Sequence, residues 1–402
     1  PQVSFSPGSL SLKPGASAST TVKLDAPNNA SAVTVSWHAN ASAGLTVTPA
    51  SGSVDIPAHG SATVDVTVSA PATDTDAVRQ VVVTGTASAG APVVDSALPV
   101  QVSAGTGSTR ALVANYSEPT VTDVDLATGK STAVPTGNNP GEVVINPDGT
   151  RAYTADQSGN TVTVIDPTSA SRLATVKVGS IPAGEALTPD GGTLWISNYG
   201  DNTVQPIDTA TNTAGAPIKV GSGPENMAIS PDGSTLWVAD INDNAVTPVD
   251  LATKTAGTEI PAGAAPFNVV VSPDSSTVYV SDSGAGTVTP IDAATRKTEP
   301  NLQLAESGNA YGLAISPDGR TLWVTVGDQV TRLDTATGKE SAPINVGNGP
   351  DDIGLDWTGA TAYVACDANN TLVPIDAATG KAGTPIATGA YPIAVAVTGV
   401  PR

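Results

Sequence analysis

One repeat constrains this chain more than any other feature. A dipeptide ending in Asp recurs as Val124-Asp125, Ile165-Asp166, Ile207-Asp208, Val249-Asp250, Ile291-Asp292, Leu333-Asp334 and Ile375-Asp376, at steps of 41 or 42 residues. One copy reads as strand a, 226-NMAIS-230, the turn 231-PDGS-234, strand b, 235-TLWVA-239, the loop 240-DINDN-244, strand c, 245-AVTPVD-250, and a short strand d. Such a unit cannot bury its own apolar faces, so copies must stack, and seven of them predict a seven-bladed β-propeller. The first copy begins at strand b with 109-TRALVAN-115, and the chain closes on a strand a, 393-IAVAVT-398. The last strand is therefore expected to pair with 109–115 and complete the first blade.

Residues 1–104 show no such period. Alternating runs such as 20-TTVKL-24, 32-AVTVSW-37, 62-ATVDVTVS-69 and 80-QVVVTGTA-87 lie between Pro, Gly and Asn turns. Period-2 alternation with regular turns suggests a β-sandwich of about 100 residues with Trp37 in its core. It is expected to fold alone. Residues 103–109 read as a flexible linker to a propeller domain over 105–402. The whole chain is expected to be all-β.

The motifs 278-VYVSDSGAGTVTPID-292 and 236-LWVADINDNAVTPVD-250, with the recurrent SPDG turn, resemble the YVTN β-propellers of surface-layer and secreted proteins. The resemblance covers residues 109–398. The first region resembles, more loosely, the immunoglobulin-like domains attached to secreted bacterial glycosidases. Both resemblances imply an extracellular or cell-surface location.

In such propellers strand a lines the central channel, and the d–a and b–c loops share one face. By this reading those loops carry fourteen carboxylates, Asp156, Asp240 and Asp282 among them, and neither Lys nor Arg. The whole chain has 17 Lys+Arg against 37 Asp+Glu, a net charge of −20, which argues against nucleic-acid or anionic-membrane binding. No apolar run is long enough for a membrane-spanning helix. Such a face favours cations or neutral polyols. Tyr116, Tyr199, Phe267, Tyr311 and Tyr391 fall in the same loops, and exposed rings beside carboxylates suit sugar recognition. Trp195, Trp237, Trp323, Tyr153, Tyr279 and Tyr363 share one strand-b position and read as blade packing. The SPDG and DxATGK aspartates read as turn caps.

Strand a has a regular pattern. Met227 and Ile229 typify large slots facing the neighbouring blade, while Asn226 and Ala228 typify small or polar slots facing the channel. Glu185 breaks it by placing a carboxylate in the Met227 slot. Two placements are open: a bulge at Gly184 returns it to the channel, which is the favoured expectation, or it is buried with a raised pKa. In either case it is expected near Glu142, Asn226, Asn268 and Asp352. Glu225 and Asp351 complete the expected ligand-binding set.

Histidine chemistry is excluded from the propeller, because His38 and His59 both lie in the first region. A Ser–His–Asp triad is thereby excluded there, and propeller lyases that depend on His are poor guides. The single cysteine, Cys366, ends an apolar run and reads as a packed thiol. Asp240, Asn242 and Asn244 begin like a calcium loop, but Ala245 and Leu251 depart from the EF-hand pattern. The sequence assigns no cofactor; calcium is the candidate ion, with Glu142, Glu185 and Asp352 as candidate ligands. The leading expectation is a secreted, monomeric, non-catalytic protein that binds a cell-surface glycan, polysaccharide or surface protein. The alternative is a glycan-active hydrolase or lyase using Glu185, Glu142 and Asp352. A protein-interaction scaffold is the third reading.

Overall fold

The computed structural model describes all residues except 1, 7–9, 13–16, 26–32, 42–44, 59, 71–76, 88–95, 103–108, 147–148, 307 and 398–402. All but Thr109 of the expected linker falls outside the described residues. The chain divides into two compact units, 1–107 and 108–400.

The first unit is a two-sheet β-sandwich. One sheet orders Gln2–Ser6, Ser17–Asp25, Ser61–Ser69 and Thr46–Thr48. The other orders Leu10–Leu12, Ser96–Val102, Ala77–Ala87, Val33–Ala41 and Ser51–Ile56. Alternation decides the core: Val22 and Leu24 from one sheet meet Val35, Trp37, Val81 and Val83 from the other. Gly52 sits against the indole, where a Cβ would come within 3.0 Å of the Trp37 ring.

The second unit contains seven separate antiparallel sheets among the described residues, the seven blades of a propeller. Blade one joins Pro392–Val397 to Arg110–Asn115, Thr120–Asp125 and Lys130–Pro135, in that order outward. Blades two to seven begin at Pro140, Pro182, Pro224, Pro266, Ala310 and Pro350. The expected closure occurs, with Ala111 opposite Val397 and Val113 opposite Val395. Ala394, Val395, Ala396 and Val397 are all buried, so this seam is as dry as any other.

Blades are held together by the large strand-b side chains. Trp195, Trp237, Trp323 and Tyr153 are almost fully buried, each worth on the order of 2–3 kcal/mol by area removed from water. Four rings, Trp195, Trp237, Tyr279 and Tyr363, face a strand-c proline: Pro206, Pro248, Pro290 and Pro374. Trp323 instead faces Arg332, whose guanidinium lies 5.3 Å from the ring centroid and whose Nη1 donates to the Ala377 carbonyl at 2.7 Å. Aspartates cap the turns as expected. Asp250 Oδ1 accepts from the Thr253 N–H at 2.7 Å, and Asp232 Oδ1 accepts from the Ser234 N–H at 2.9 Å. Cys366 is buried in the blade-seven core, and burial pushes its thiol up to about 12, so it is inert at neutral pH.

Candidate functional site at the channel mouth

Every strand a has an irregularity at its start. Pro224 pairs with Asp240 and Met227 with Val238, so two residues of strand a, Glu225 and Asn226, oppose the single residue Ala239. Register shifts at the same place recur in all seven blades. A bulge of this kind lets the first two residues after the loop both reach the channel. A cavity of about 250 Å³ results, lined by Gly141, Ala183, Glu225, Phe267, Asp351 and Ile393 from the first slot and Glu142, Asn226, Asn268 and Asp352 from the second. Tyr116, Gln157 and Tyr391 complete the wall.

Glu185 is not part of that wall. The bulge expected to return it to the channel exists, but it belongs to every blade and ends one residue earlier. Glu185 pairs with Ile196 as Met227 pairs with Val238, and it is 3% exposed. The favoured placement is corrected accordingly: the register keeps this carboxylate in the large-slot row that packs between blades. Gly184 has another use. A Cβ there would lie 2.5 Å from the Glu225 carbonyl oxygen, so glycine lets the next blade approach. Gly312 does the same for Asp351, at 2.7 Å.

A hydroxyl relay fixes these close approaches. Ser197 Oγ accepts from the Gly184 N–H at 2.7 Å and donates to the Glu225 carbonyl at 2.6 Å. Thr325 Oγ1 accepts from the Gly312 N–H at 2.7 Å and donates to the Asp351 carbonyl at 2.9 Å. Ser281 Oγ joins Asn268 to Tyr311 in the same way. The bulge frees a strand-a N–H from its ladder, and the strand-b hydroxyl satisfies it while tying the next blade in place.

The carboxylates divide into two groups. Asp156, Asp240 and Asp282, expected on the acidic face, are fully buried at the ends of their b strands. Asp156 accepts from Thr161 and Thr163, Asp282 from Thr287 and Thr289, and Asp240 from Thr247. Burial raises all three, Asp240 to about 7 with smaller contributions from Glu259 and Asp243. They clasp strand c and are structural. In addition, Lys219 donates to the Asp201 carbonyl at 3.1 Å, so strand d brings a cation to the rim that the loops lack.

The second group lines the cavity. Burial pushes Glu225 up to about 7. Asp351 rises to about 8, first through burial and then through Asp352, Asp367 and Glu142. Asp352 Oδ2 accepts from the Val395 N–H at 2.9 Å across the blade-seven to blade-one seam, and Glu142 Oε1 accepts from the Val143 N–H at 3.2 Å. The candidate metal set is not assembled. Glu185 stands outside the cavity, and among the described residues no three His, Cys, Asp or Glu side chains come together to hold a metal ion.

Of the expected aromatics, Tyr116, Phe267 and Tyr391 line the cavity, whereas Tyr199 and Tyr311 do not. Tyr311 packs edge-on against Phe267 at 5.1 Å, and the Tyr199 hydroxyl lies 3.5 Å from Asn242 Nδ2. Tyr116 and Tyr391 stand 6.3 Å apart, and the Tyr116 hydroxyl donates to Gln157 at 3.2 Å. Tyr391 is 46% exposed and sits at φ 59°, its N–H held by Asn370 Oδ1 at 2.8 Å. The equivalent loop position also takes a positive φ at Asn139, Ile181, Gly223, Ala265 and Gly349, so the turn itself imposes it, and each residue there other than glycine is held at a cost in backbone strain.

No protein-family model matches the sequence, and no curated protein matches it. Solved structures do resemble it. Hydrazine synthase from Kuenenia stuttgartiensis is 24% identical with a TM-score of 0.61, over 64% of this chain and 89% of that one. The periplasmic gluconolactonase PpgL of Pseudomonas aeruginosa is 20% identical with a TM-score of 0.61, over 72% of this chain and 99% of that one. A functionally unknown protein from Desulfotomaculum acetoxidans is 15% identical with a TM-score of 0.64, over 72% and 98%. At these identities the likeness is one of fold. The chain is a seven-bladed β-propeller protein with an N-terminal β-sandwich.

Proposed function

We propose that this is a secreted, non-catalytic glycan-binding protein of the YVTN type, with the channel mouth as its binding site and the sandwich as a spacer or second adhesive module. The observation that supports this most is the cavity wall. Phe267, Tyr116 and Tyr391 offer ring faces beside Asn226, Asn268 and four carboxyl groups, in a volume of about 250 Å³ suited to one sugar ring. A panel of soluble oligosaccharides titrated into the full chain tests it, with chain length analysed after prolonged incubation. Binding without cleavage is the expected result. Binding by none of the panel, or unchanged binding by Phe267→Ala, would overturn the reading.

One observation favours the enzymatic alternative. Glu225 and Asp351 hold protons near neutral pH, as a general acid must. A hydrolase here would use those two rather than Glu185. Cleavage products that disappear in Asp351→Asn would establish it.

A further inference from the structure

We infer that the sugar recognised at the channel mouth carries a free, protonated amine: a hexosamine residue with its 2-amino group unacetylated. This rests on the glycan-binding reading above and names its ligand class. Four carboxyl groups, Glu142, Glu225, Asp351 and Asp352, share the cavity wall with the rings of Phe267 and Tyr391, and among the described residues no Lys, Arg or His lines it. Glu142 and Asp352 are 5% and 6% exposed and Glu225 and Asp351 are half-buried, so the wall is recessed from solvent and not an open acidic surface.

Three ligand chemistries compete for such a wall. A divalent ion requires several oxygens converging within about 2.5 Å of one point. These carboxyls come from three blades around the ring, with only Asp351 and Asp352 on one strand, and no convergent set exists among the described residues. A neutral sugar could stack on Phe267 and bond to Asn226 and Asn268, but would bring no positive charge to the carboxyl groups around it. An aminated sugar uses every feature. Its ring stacks, its hydroxyls meet the amides, and its ammonium donates charge-assisted hydrogen bonds to the carboxylates within its reach, beside an aromatic face.

The raised carboxyls add a second readout. Burial, and then Asp352, Asp367 and Glu142, raise Asp351, and burial alone raises Glu225. An ammonium favours the ionised form of both groups, so binding at neutral pH releases protons to the buffer.

The test is calorimetric titration of the full chain with the trimer of glucosamine and the trimer of N-acetylglucosamine, at about pH 6 where the amine is charged. The free-amine trimer is expected to bind at least about tenfold more tightly. Its advantage should vanish in Glu225→Gln and Asp351→Asn and persist in Glu299→Gln, which removes an exposed carboxylate outside the cavity. Equal or tighter binding of the acetylated trimer overturns the inference and leaves the glycan-binding reading standing. Equal weakening by Glu299→Gln also overturns it, since long-range attraction to an acidic protein would then suffice. If neither trimer binds but a neutral glucan does, the inference falls alone. If no glycan of the panel binds, both fall. The wild-type comparison between trimers decides the matter even if a variant fails to fold.

Discussion

The Ser197 hydroxyl donates to the Glu225 carbonyl at 2.6 Å across the seam between blades three and four, while taking the Gly184 N–H at 2.7 Å. One hydroxyl thus satisfies the amide that the bulge releases and sets the position of a cavity carboxyl. Ser197→Ala fits sterically, since Ala239 occupies the same place in blade four. It leaves a buried donor and acceptor unpaired. A loss of about 1–3 kcal/mol in denaturant unfolding is expected, with weaker ligand binding as Glu225 shifts. Wild-type stability would show that water replaces the hydroxyl.

Glu185→Met restores the residue type that blade four carries in this slot. Because Glu185 is buried in the inter-blade row and does not line the cavity, the substitution removes a desolvated carboxyl and keeps the packing volume. Stability equal to wild type or higher by up to about 2 kcal/mol is expected, with ligand titrations unchanged. Weakened binding would restore this residue to the site.

Stability should peak on the acid side of neutrality. Asp240, Glu225 and Asp351 have folded pKa values raised to about 7, 7 and 8, and Asp156 and Asp282 are raised too. For these groups the folded state binds protons more tightly than the unfolded chain. Their contribution is most favourable below the ordinary carboxylate range and is lost as pH rises through about 4 to 8. The turn aspartates, Asp166, Asp190, Asp208, Asp250, Asp292, Asp334 and Asp376, are lowered by hydrogen bonds from their own turns. Their contribution is lost as pH falls through that same carboxylate range. Melting temperature should therefore be highest close to the ordinary carboxylate range, between about pH 4 and 5, and decline on both sides. A plateau from pH 6 to 9 would contradict the raised values.

Removing everything after Ala390 deletes the strand Pro392–Val397 and bares Arg110–Asn115 as an unpaired edge at the centre of blade one. It also uncovers Val113 and Ala114, both fully buried in the intact ring. Loss of the cooperative melt and concentration-dependent aggregation are expected by light scattering. A truncated chain that melts like the intact one would exclude this closure.

Blade number, strand order and closure were legible in the sequence because a repeat of 41 or 42 residues, cut between strands a and b, can bury its apolar faces only by stacking and must borrow its missing strand from the other end. The buried strand-b aspartates also left a sign: Asp156 and Asp282 are each followed by Thr five and seven residues later, as is Asn115. Residue types alone placed these aspartates on the surface, because an Asp in a loop and an Asp beneath a loop look the same until the threonines opposite are placed.

That the bulge belongs to every blade was the decisive omission. Period-2 alternation assumes that one residue opposes one, so it placed Asn226 and the Glu185 slot correctly and left Glu225 and Asp351 in the loop, whereas the bulge invoked at Gly184 alone sent Glu185 to the channel. Which two residues oppose one is settled by the hydroxyls of Ser197, Ser281 and Thr325 on the neighbouring strand and by how closely the next blade can approach Gly184 and Gly312. Those contacts run between strands and between blades, at separations that no local pattern spans. The sequence alone therefore determined the ring and its seams, and tertiary packing decided which carboxyl groups face the space at its centre.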